Sequence, residues 1–174
     1  MTPAAHVVPI LALAVAVAAA ASAQTPAPKG PPDKVAFYGS PSSPISSGVV
    51  IPAGRAFVWT SGTVPGVADA NAERGSRARF GDTYTQAASV LSRIEAQLVE
   101  QGLSMRDVVY LRAYLVPDRE KGGALDMDGW SKAYGEAFGT EKNPTKPARS
   151  TVGVAALVAP EWLIEIEAFA VFPE

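Results

Sequence analysis

A single arginine and a close pair of glutamates near the carboxyl end are the residues of this chain best suited to chemistry. Arg149 lies in the run PARSTVGV, and Glu165 and Glu167 lie in the run IEIEAFAVF. A guanidinium binds a carboxylate through two parallel hydrogen bonds, and a nearby Glu can hold a water molecule and transfer a proton. These groups suit the hydrolysis of an acid-bearing imine or enamine, in which carbon is protonated, water adds to the C=N bond and ammonia leaves. That reaction needs neither a metal nor a cofactor.

The strands that carry these residues predict where the side chains lie. Apolar residues alternate along residues 164–172, which predicts a strand with one buried face. Val152 belongs to a matching apolar face, which places Arg149 and Thr151 on the same side of the sheet as Glu165. If the last two strands form a hairpin, Arg149 is about six residues, or roughly 20 Å, from Glu165. The two are then either unrelated groups in structural ion pairs, or residues that meet across an interface between subunits.

Two neighbouring polar residues also have structural interpretations. Glu167 is expected to pair with Arg112 or with another cation of the sheet. Ser61 follows an apolar run and either binds substrate or merely ends its strand.

The amino-terminal segment has the pattern of an export signal. Residues 1–23 contain no Lys, Arg, Asp or Glu, and they end in Ala-Ser-Ala, a small-x-small cleavage pattern. We therefore expect a signal peptide and an exported, periplasmic protein, with an uncleaved membrane anchor as the alternative. Residues 24–34, QTPAPKGPPDK, predict a flexible Pro-rich spacer, and residues 35–174 predict one domain.

Composition excludes several classes of function. The 15 Lys and Arg residues against 17 Asp and Glu do not favour a nucleic acid or an anionic membrane as partner. Cysteine is absent, and the only histidine is His6, within the predicted leader. A mature chain without His or Cys has no Ser-His-Asp or Cys-His system and lacks the usual zinc ligands. Proton transfer then falls to Asp, Glu, Lys, Tyr or water, and we expect no metal.

The remaining pattern predicts alternating strands and helices. Residues 48–51 and 55–61 predict a hairpin, and residues 108–116 predict a further strand. Apolar residues at helical spacing predict one helix from Asp82, its N-cap, to Gly102, and a second from Trp130 to near Gly139. This order indicates a two-layer α+β domain in which both helices cover one face of the sheet. The other face is more apolar than a solvated sheet needs, so we expect a homo-oligomer to cover it.

Four segments resemble the Rid family, the reactive-intermediate deaminases also called YjgF-like proteins. PARSTVGVAAL and IEIEAFAVFP resemble the terminal signature of that family. VWTSGTVPG resembles its strand ending in S-G-x-x-P, and AYGEAFG resembles its second helix. The likeness covers residues 43–172.

The resemblance implies a chorismate-mutase-like homotrimer with a mixed sheet and with clefts between the subunits. It also implies hydrolysis of enamines and imines such as 2-aminoacrylate to 2-oxo acids and ammonia, without a cofactor. By motif position Arg149 is expected to bind the substrate carboxylate and Glu165 to position the water. Thr151, where many members have Cys, is expected to contribute chiefly its backbone amide, and Ser61 and Gly62 to line the pocket.

The chain departs from the family pattern at two places. Many deaminating members carry a G-P-Y segment where this chain has Pro44-Ile45-Ser46, so Ile45 stands at a substrate-binding position without an aromatic ring or hydroxyl. An Asn of the second helix is replaced by Ser131. The main alternative is therefore a non-catalytic protein that binds small carboxylates. The endoribonuclease activity sometimes attached to the family suits an acidic chain without His poorly.

Overall fold

Two α-helices and six strands are formed by residues 25–27 and 29–173, the part of the chain that this computed structural model describes. The predicted leader, residues 1–23, lies outside the described residues. Among the described residues, no helix combines the length and the apolar character needed to span a bilayer. The elements are β1 (Ala36–Tyr38), β2 (Gly48–Val50), β3 (Phe57–Trp59), α1 (Thr83–Glu100), β4 (Val108–Leu115), α2 (Met127–Ala137), β5 (Ala148–Gly153) and β6 (Ile164–Val171).

The main sheet is mixed and has the strand order β3-β6-β4-β5. β6 is antiparallel to both β3 and β4, whereas β5 is parallel to β4. β1 and β2 form a separate two-stranded antiparallel pair. Both predicted hairpins are therefore wrong, because β2 pairs with β1 instead of β3, and β4 lies between β5 and β6.

The two long strands determine this pairing. β4 and β6 each have eight residues, so an antiparallel ladder between them satisfies backbone N–H and C=O groups along most of both strands. The six residues of β5 occupy the free edge of β4. Residues 154–163 consequently pass the end of β4 and do not form a hairpin turn.

Both helices pack on one face of the sheet, as predicted. Asp82 caps α1 by accepting a hydrogen bond from the backbone N–H of Thr85, and Gly102, with φ of +75°, follows its last turn. Asp126 caps α2 by accepting from the backbone N–H of Gly129. The core between helices and sheet includes Val90, Ile94, Leu98, Leu111, Ala113, Trp130, Tyr134, Ile166 and Ala168. The α+β architecture is thus the predicted one.

No described residue covers the opposite face of the sheet at its apolar side chains. Phe57 and Trp59 of β3 are 56% and 60% exposed, and both rings contact Phe169 of β6. Val152 of β5 is also exposed. Exposed large apolar side chains that share one face are typical of surfaces that pack against another molecule.

Candidate functional site

Arg149 lies on the helix-covered face, where two aromatic rings of α2 contact it. It is paired in register with the buried Leu111 of β4, and paired residues of neighbouring strands share a face. The guanidinium carbon lies 4.4 Å from the ring centroid of Tyr134 and 5.2 Å from that of Trp130. Trp130 and Tyr134 are one helical turn apart and therefore present their rings on one side of α2. Each ring face attracts the cation.

One nitrogen of this guanidinium is buried without a hydrogen-bond partner. Arg149 Nη1 contacts no acceptor among the described residues, and burial lowers the pKa of the guanidinium, which the neighbouring Tyr134 partly offsets. An arginine still remains protonated in proteins. A buried charged donor without an acceptor is costly and uncommon. The arrangement therefore suits an anionic ligand that supplies the missing acceptor.

A cavity of about 300 Å³ opens beside Arg149. Residues 42–44 form one wall of this cavity. Lys146 Nζ donates hydrogen bonds to the backbone carbonyls of Pro41, at 3.0 Å, and Ser43, at 3.1 Å, and these bonds hold the segment in place. Tyr134 donates its hydroxyl to the carbonyl of Pro44 at 3.3 Å. The volume is at the lower end of the range for ligand sites, which suits a small acid. The lining residues are Ser42, Ser43, Pro44, Ser131, Tyr134, Gly135, Phe138, Gly139, Lys146 and Arg149.

The hydroxyl of Tyr134 is a donor and not a base in this cavity. Its ring is buried, and burial raises the pKa of Tyr134 to about 12, although the charge of Arg149 acts in the opposite direction. At neutral pH the hydroxyl keeps its proton and can donate a hydrogen bond to a ligand or to the Pro44 carbonyl.

Glu165 lies on the uncovered face, against the backbone of Gly62. A β-carbon built on Gly62 would be 1.7 Å from Glu165 Oε1, so only glycine leaves room for this carboxylate. Thr63, next along the chain, forms two backbone hydrogen bonds with Ile166. That pairing holds the half-buried Gly62 against Glu165, and the exposed Ser61 precedes Gly62 in the chain. The structure therefore brings Gly62 and Glu165 together.

Glu167 has a structural role on the same face. Tyr114 donates its hydroxyl to Glu167 Oε1 at 3.1 Å, and Arg112 Nη1 lies 3.6 Å from Oε2. The expected pairing of Glu167 with Arg112 is thus present. Among residues 25–27 and 29–173, Glu165 forms no ion pair.

The expectation that Arg149, Thr151 and Glu165 share a face is wrong. Glu165 is paired with Tyr114 of β4, whereas Arg149 is paired with Leu111. These positions differ by about 10 Å along β4, and their side chains point to opposite faces of the sheet. Val152, expected to be buried, is 44% exposed instead. One chain alone does not bring the guanidinium and the carboxylate of Glu165 together.

Of the two further predicted positions, Thr151 is close to Arg149 and Ile45 lines another cavity. Thr151 is on the same face, and its Oγ1 accepts a hydrogen bond from Trp130 Nε1 at 3.0 Å. Ile45 packs against the core and lines a separate cavity of about 370 Å³ with Tyr38 and Lys146. Sequence reasoning did not include Trp130 or Tyr134 in the site. Their helical spacing was the available signal, but it indicates core packing equally well.

Comparison with known proteins identifies the family to which the chain belongs. The model of the Endoribonuclease L-PSP family matches residues 40–172. The crystal structure of the YjgF gene product from E. coli has 34% identity over 71% of this chain and 85% of that one, with a TM-score of 0.52. A protein of unknown function of the conserved Rid family, YyfB from Yersinia pestis, has 32% identity over 76% of this chain and 91% of that one, with a TM-score of 0.56.

A third solved structure contains a bound amino acid. The structure of E. coli TdcF with bound serine has 29% identity over 71% of this chain and 85% of that one, with a TM-score of 0.53. No curated protein matches the chain. The family model covers well over half of the sequence, including β2, both helices and the strands that carry Arg149 and Glu165. The chain therefore belongs to the Endoribonuclease L-PSP family, which is the family of the YjgF and Rid proteins.

Proposed function

We propose that this protein is a hydrolytic deaminase of small 2-imino and 2-enamino acids. The observation that carries the proposal is the half-buried Arg149 beside a cavity of about 300 Å³, with its Nη1 buried and without a hydrogen-bond partner among the described residues. A carboxylate is the anion whose two oxygens match the fork of a guanidinium. The serine bound to TdcF, a similar protein, is also a small carboxylate-bearing molecule. Neither a metal nor a cofactor takes part in the reaction that we propose.

The reaction is balanced with water as the only co-reactant. An enamine such as 2-aminoacrylate is first protonated at carbon, which gives the 2-imino acid. Arg149 binds the carboxylate, and Glu165 accepts a proton from a water molecule as the water oxygen bonds to the C=N carbon. That proton passes to nitrogen and gives a carbinolamine. The hydroxyl proton of the carbinolamine then moves to the amino group as the C=O bond forms and the C–N bond breaks, so that ammonia and a 2-oxo acid leave. Ser61 and Gly62 line the cleft beside Glu165.

We propose further that the sites form between the subunits of a homotrimer. Arg149 and Glu165 lie on opposite faces of the sheet in one chain, so a shared cleft needs a second chain. The exposed aromatic residues Phe57 and Trp59 provide the surface on which a second subunit packs. A measured mass of three chains in light scattering is expected, and an active monomer would contradict this assembly.

The test of the proposed activity is the release of 2-oxo acid from a 2-imino acid generated in situ. Arg149→Ala removes the bidentate contact, which should cost about 2 to 4 kcal/mol of transition-state stabilisation, or roughly one and a half to three decades in kcat/KM. Arg93→Ala, which removes an exposed cation of α1, is the matched control and should retain full activity. No acceleration over buffer by the wild-type protein, or full activity in Arg149→Ala, would refute the proposal.

The second candidate function is non-catalytic binding of small carboxylates. It is favoured by the position of Glu165 on the other face of the sheet from Arg149, because the cavity beside Arg149 then binds an anion without a general base of its own chain. Calorimetry distinguishes the two functions. Binding of pyruvate that Arg149→Ala abolishes, together with no turnover of the 2-imino acid, would establish the second function in place of the first.

We also propose that the chain is exported and that its leader is removed after Ala23. The mature protein then begins at Gln24. Amino-terminal sequencing of the protein recovered from a periplasmic extract should read QTPAP. Recovery of the intact amino terminus in the membrane fraction would indicate an uncleaved anchor instead.

A further inference from the structure

The hydrogen bond between Trp130 and Thr151 connects α2 to β5 directly beside Arg149. Trp130 is fully buried, and its Nε1 donates to Thr151 Oγ1 at 3.0 Å. Both partners are neighbours of Arg149, since Thr151 is two residues along the same strand and the Trp130 ring centroid is 5.2 Å from Cζ. The bond therefore fixes the indole in the orientation that presents its ring to the cation.

The orientation of the guanidinium depends on these rings. Among the described ranges 25–27 and 29–173, no carboxylate forms a salt bridge with Arg149. Tyr134 lies 4.4 Å from Cζ, and the rings of Trp130 and Tyr134 meet edge to face at 72°, with centroids 5.7 Å apart. The guanidinium thus lies against two rings at a fixed mutual angle, and a rotation of the indole would change both contacts.

The residue at position 151 determines whether this bond can form. A hydroxyl oxygen is an effective hydrogen-bond acceptor, whereas a thiol sulfur is a weak one. Loss of the acceptor would leave the indole N–H buried and unpaired, which favours a different ring orientation. Threonine at position 151 is therefore matched to tryptophan at position 130 in this chain.

We propose that Trp130 and Thr151 are positioning residues that hold the Arg149 guanidinium in the orientation that receives a carboxylate. The inference rests on the proposed function in that a small carboxylate is the expected ligand. Neither residue lines the cavity beside Arg149. Each acts through Arg149.

The test compares Thr151→Val, which keeps the side-chain shape and removes the acceptor, with Thr151→Ser, which restores the acceptor. In calorimetry the affinity for pyruvate should fall roughly three- to tenfold in Thr151→Val and should return to the wild-type value in Thr151→Ser. In the deaminase assay the same loss should appear mainly in KM. Trp130→Phe should resemble Thr151→Val, and the double variant should lose no more than either single variant.

A second readout does not depend on ligand binding or turnover. The Nε–H group of Arg149 gives an NMR signal whose heteronuclear relaxation reports the motion of the guanidinium. We expect an ordered group in the wild type and in Thr151→Ser and a mobile one in Thr151→Val. Unchanged relaxation in a folded Thr151→Val would overturn the inference, whatever the activity. Loss of order with no deaminase activity in the wild type would overturn the proposed function and leave the positioning role supported.

Discussion

Replacement of Gly62 by alanine is expected to remove catalysis while leaving carboxylate binding intact. The added methyl carbon would lie 1.7 Å from Glu165 Oε1 and 2.7 Å from its Cδ, whereas ordinary contacts begin at 3.4 Å. To reach an ordinary contact, Glu165 Oε1 must move from 1.7 to 3.4 Å away from the methyl carbon. A misplacement of about 1 Å can already cost roughly a hundredfold in rate. We expect kcat to fall by about that factor, while KM changes little because Arg149 is on the other face of the sheet.

The free energy of unfolding should change little in the same variant. The displaced group is the flexible end of a side chain, and alanine at a compatible backbone position changes stability by less than about 1 kcal/mol. The assay is the initial rate of 2-oxo acid release over a range of substrate concentrations, accompanied by urea unfolding.

Gly66→Ala is the matched control, because its methyl group meets Ser89 Oγ and Arg93 Nη1 at 3.4 and 3.7 Å, which are ordinary contacts. It should keep both kcat and stability. A wild-type kcat in Gly62→Ala would refute the assignment of Glu165. An equal loss of pyruvate binding would show that the substitution damages more than the carboxylate position.

Two further predictions concern stability and pH. The Asp82 carboxylate accepts a hydrogen bond from the backbone N–H of Thr85 at 2.8 Å, and this bond holds the pKa of Asp82 below its usual value. The stabilisation of the folded state by this carboxylate is present above about pH 4 and is lost as the pH falls through the folded-state pKa. In urea unfolding at pH 7, the free energy of unfolding should fall by about 1 kcal/mol in Asp82→Ala and by much less in Asp82→Asn. Equal stability of the two variants would contradict the capping role of Asp82. Burial raises the pKa of Tyr134 from 10.0 to about 12, so the folded state keeps the hydroxyl proton to a higher pH than the unfolded state does. The free energy of unfolding therefore declines by about 1 kcal/mol between pH 9 and pH 11. Tyr134→Phe should show a smaller decline over that interval, and an identical decline would contradict it.

The alternating strands and the capped helices could be predicted from the sequence because their signals are local. Leu111 and Ala113 in β4 and Ile166 and Ala168 in β6 alternate with polar residues, so each strand specifies its own buried face. Strand pairing is not local in this sense. The choice of β6 as the partner of β4 depends on the matched lengths of two strands far apart in the chain. β1 has three residues, too few to show a period.

The orientation of Arg149 was missed for a different physical reason. The hydrophobic pattern assigns Val152 to the core and Arg149 to the outside, and the structure reverses both assignments. A charged side chain can face inward only where aromatic rings and a cavity receive it, and these come from α2 and from the segment 42–44. Such a conflict between pattern and structure is typical of a functional position.

The placement of Arg149 and Glu165 on opposite sides of the sheet has a genetic consequence under the proposed assembly. Chains that lack one residue can be rescued by chains that lack the other, because an intact guanidinium and an intact carboxylate still meet at some subunit boundaries. Random mixing in equal amounts would restore about a quarter of the boundaries. Two inactive alleles expressed together should then complement each other, because activity requires an intact subunit boundary and not an intact polypeptide.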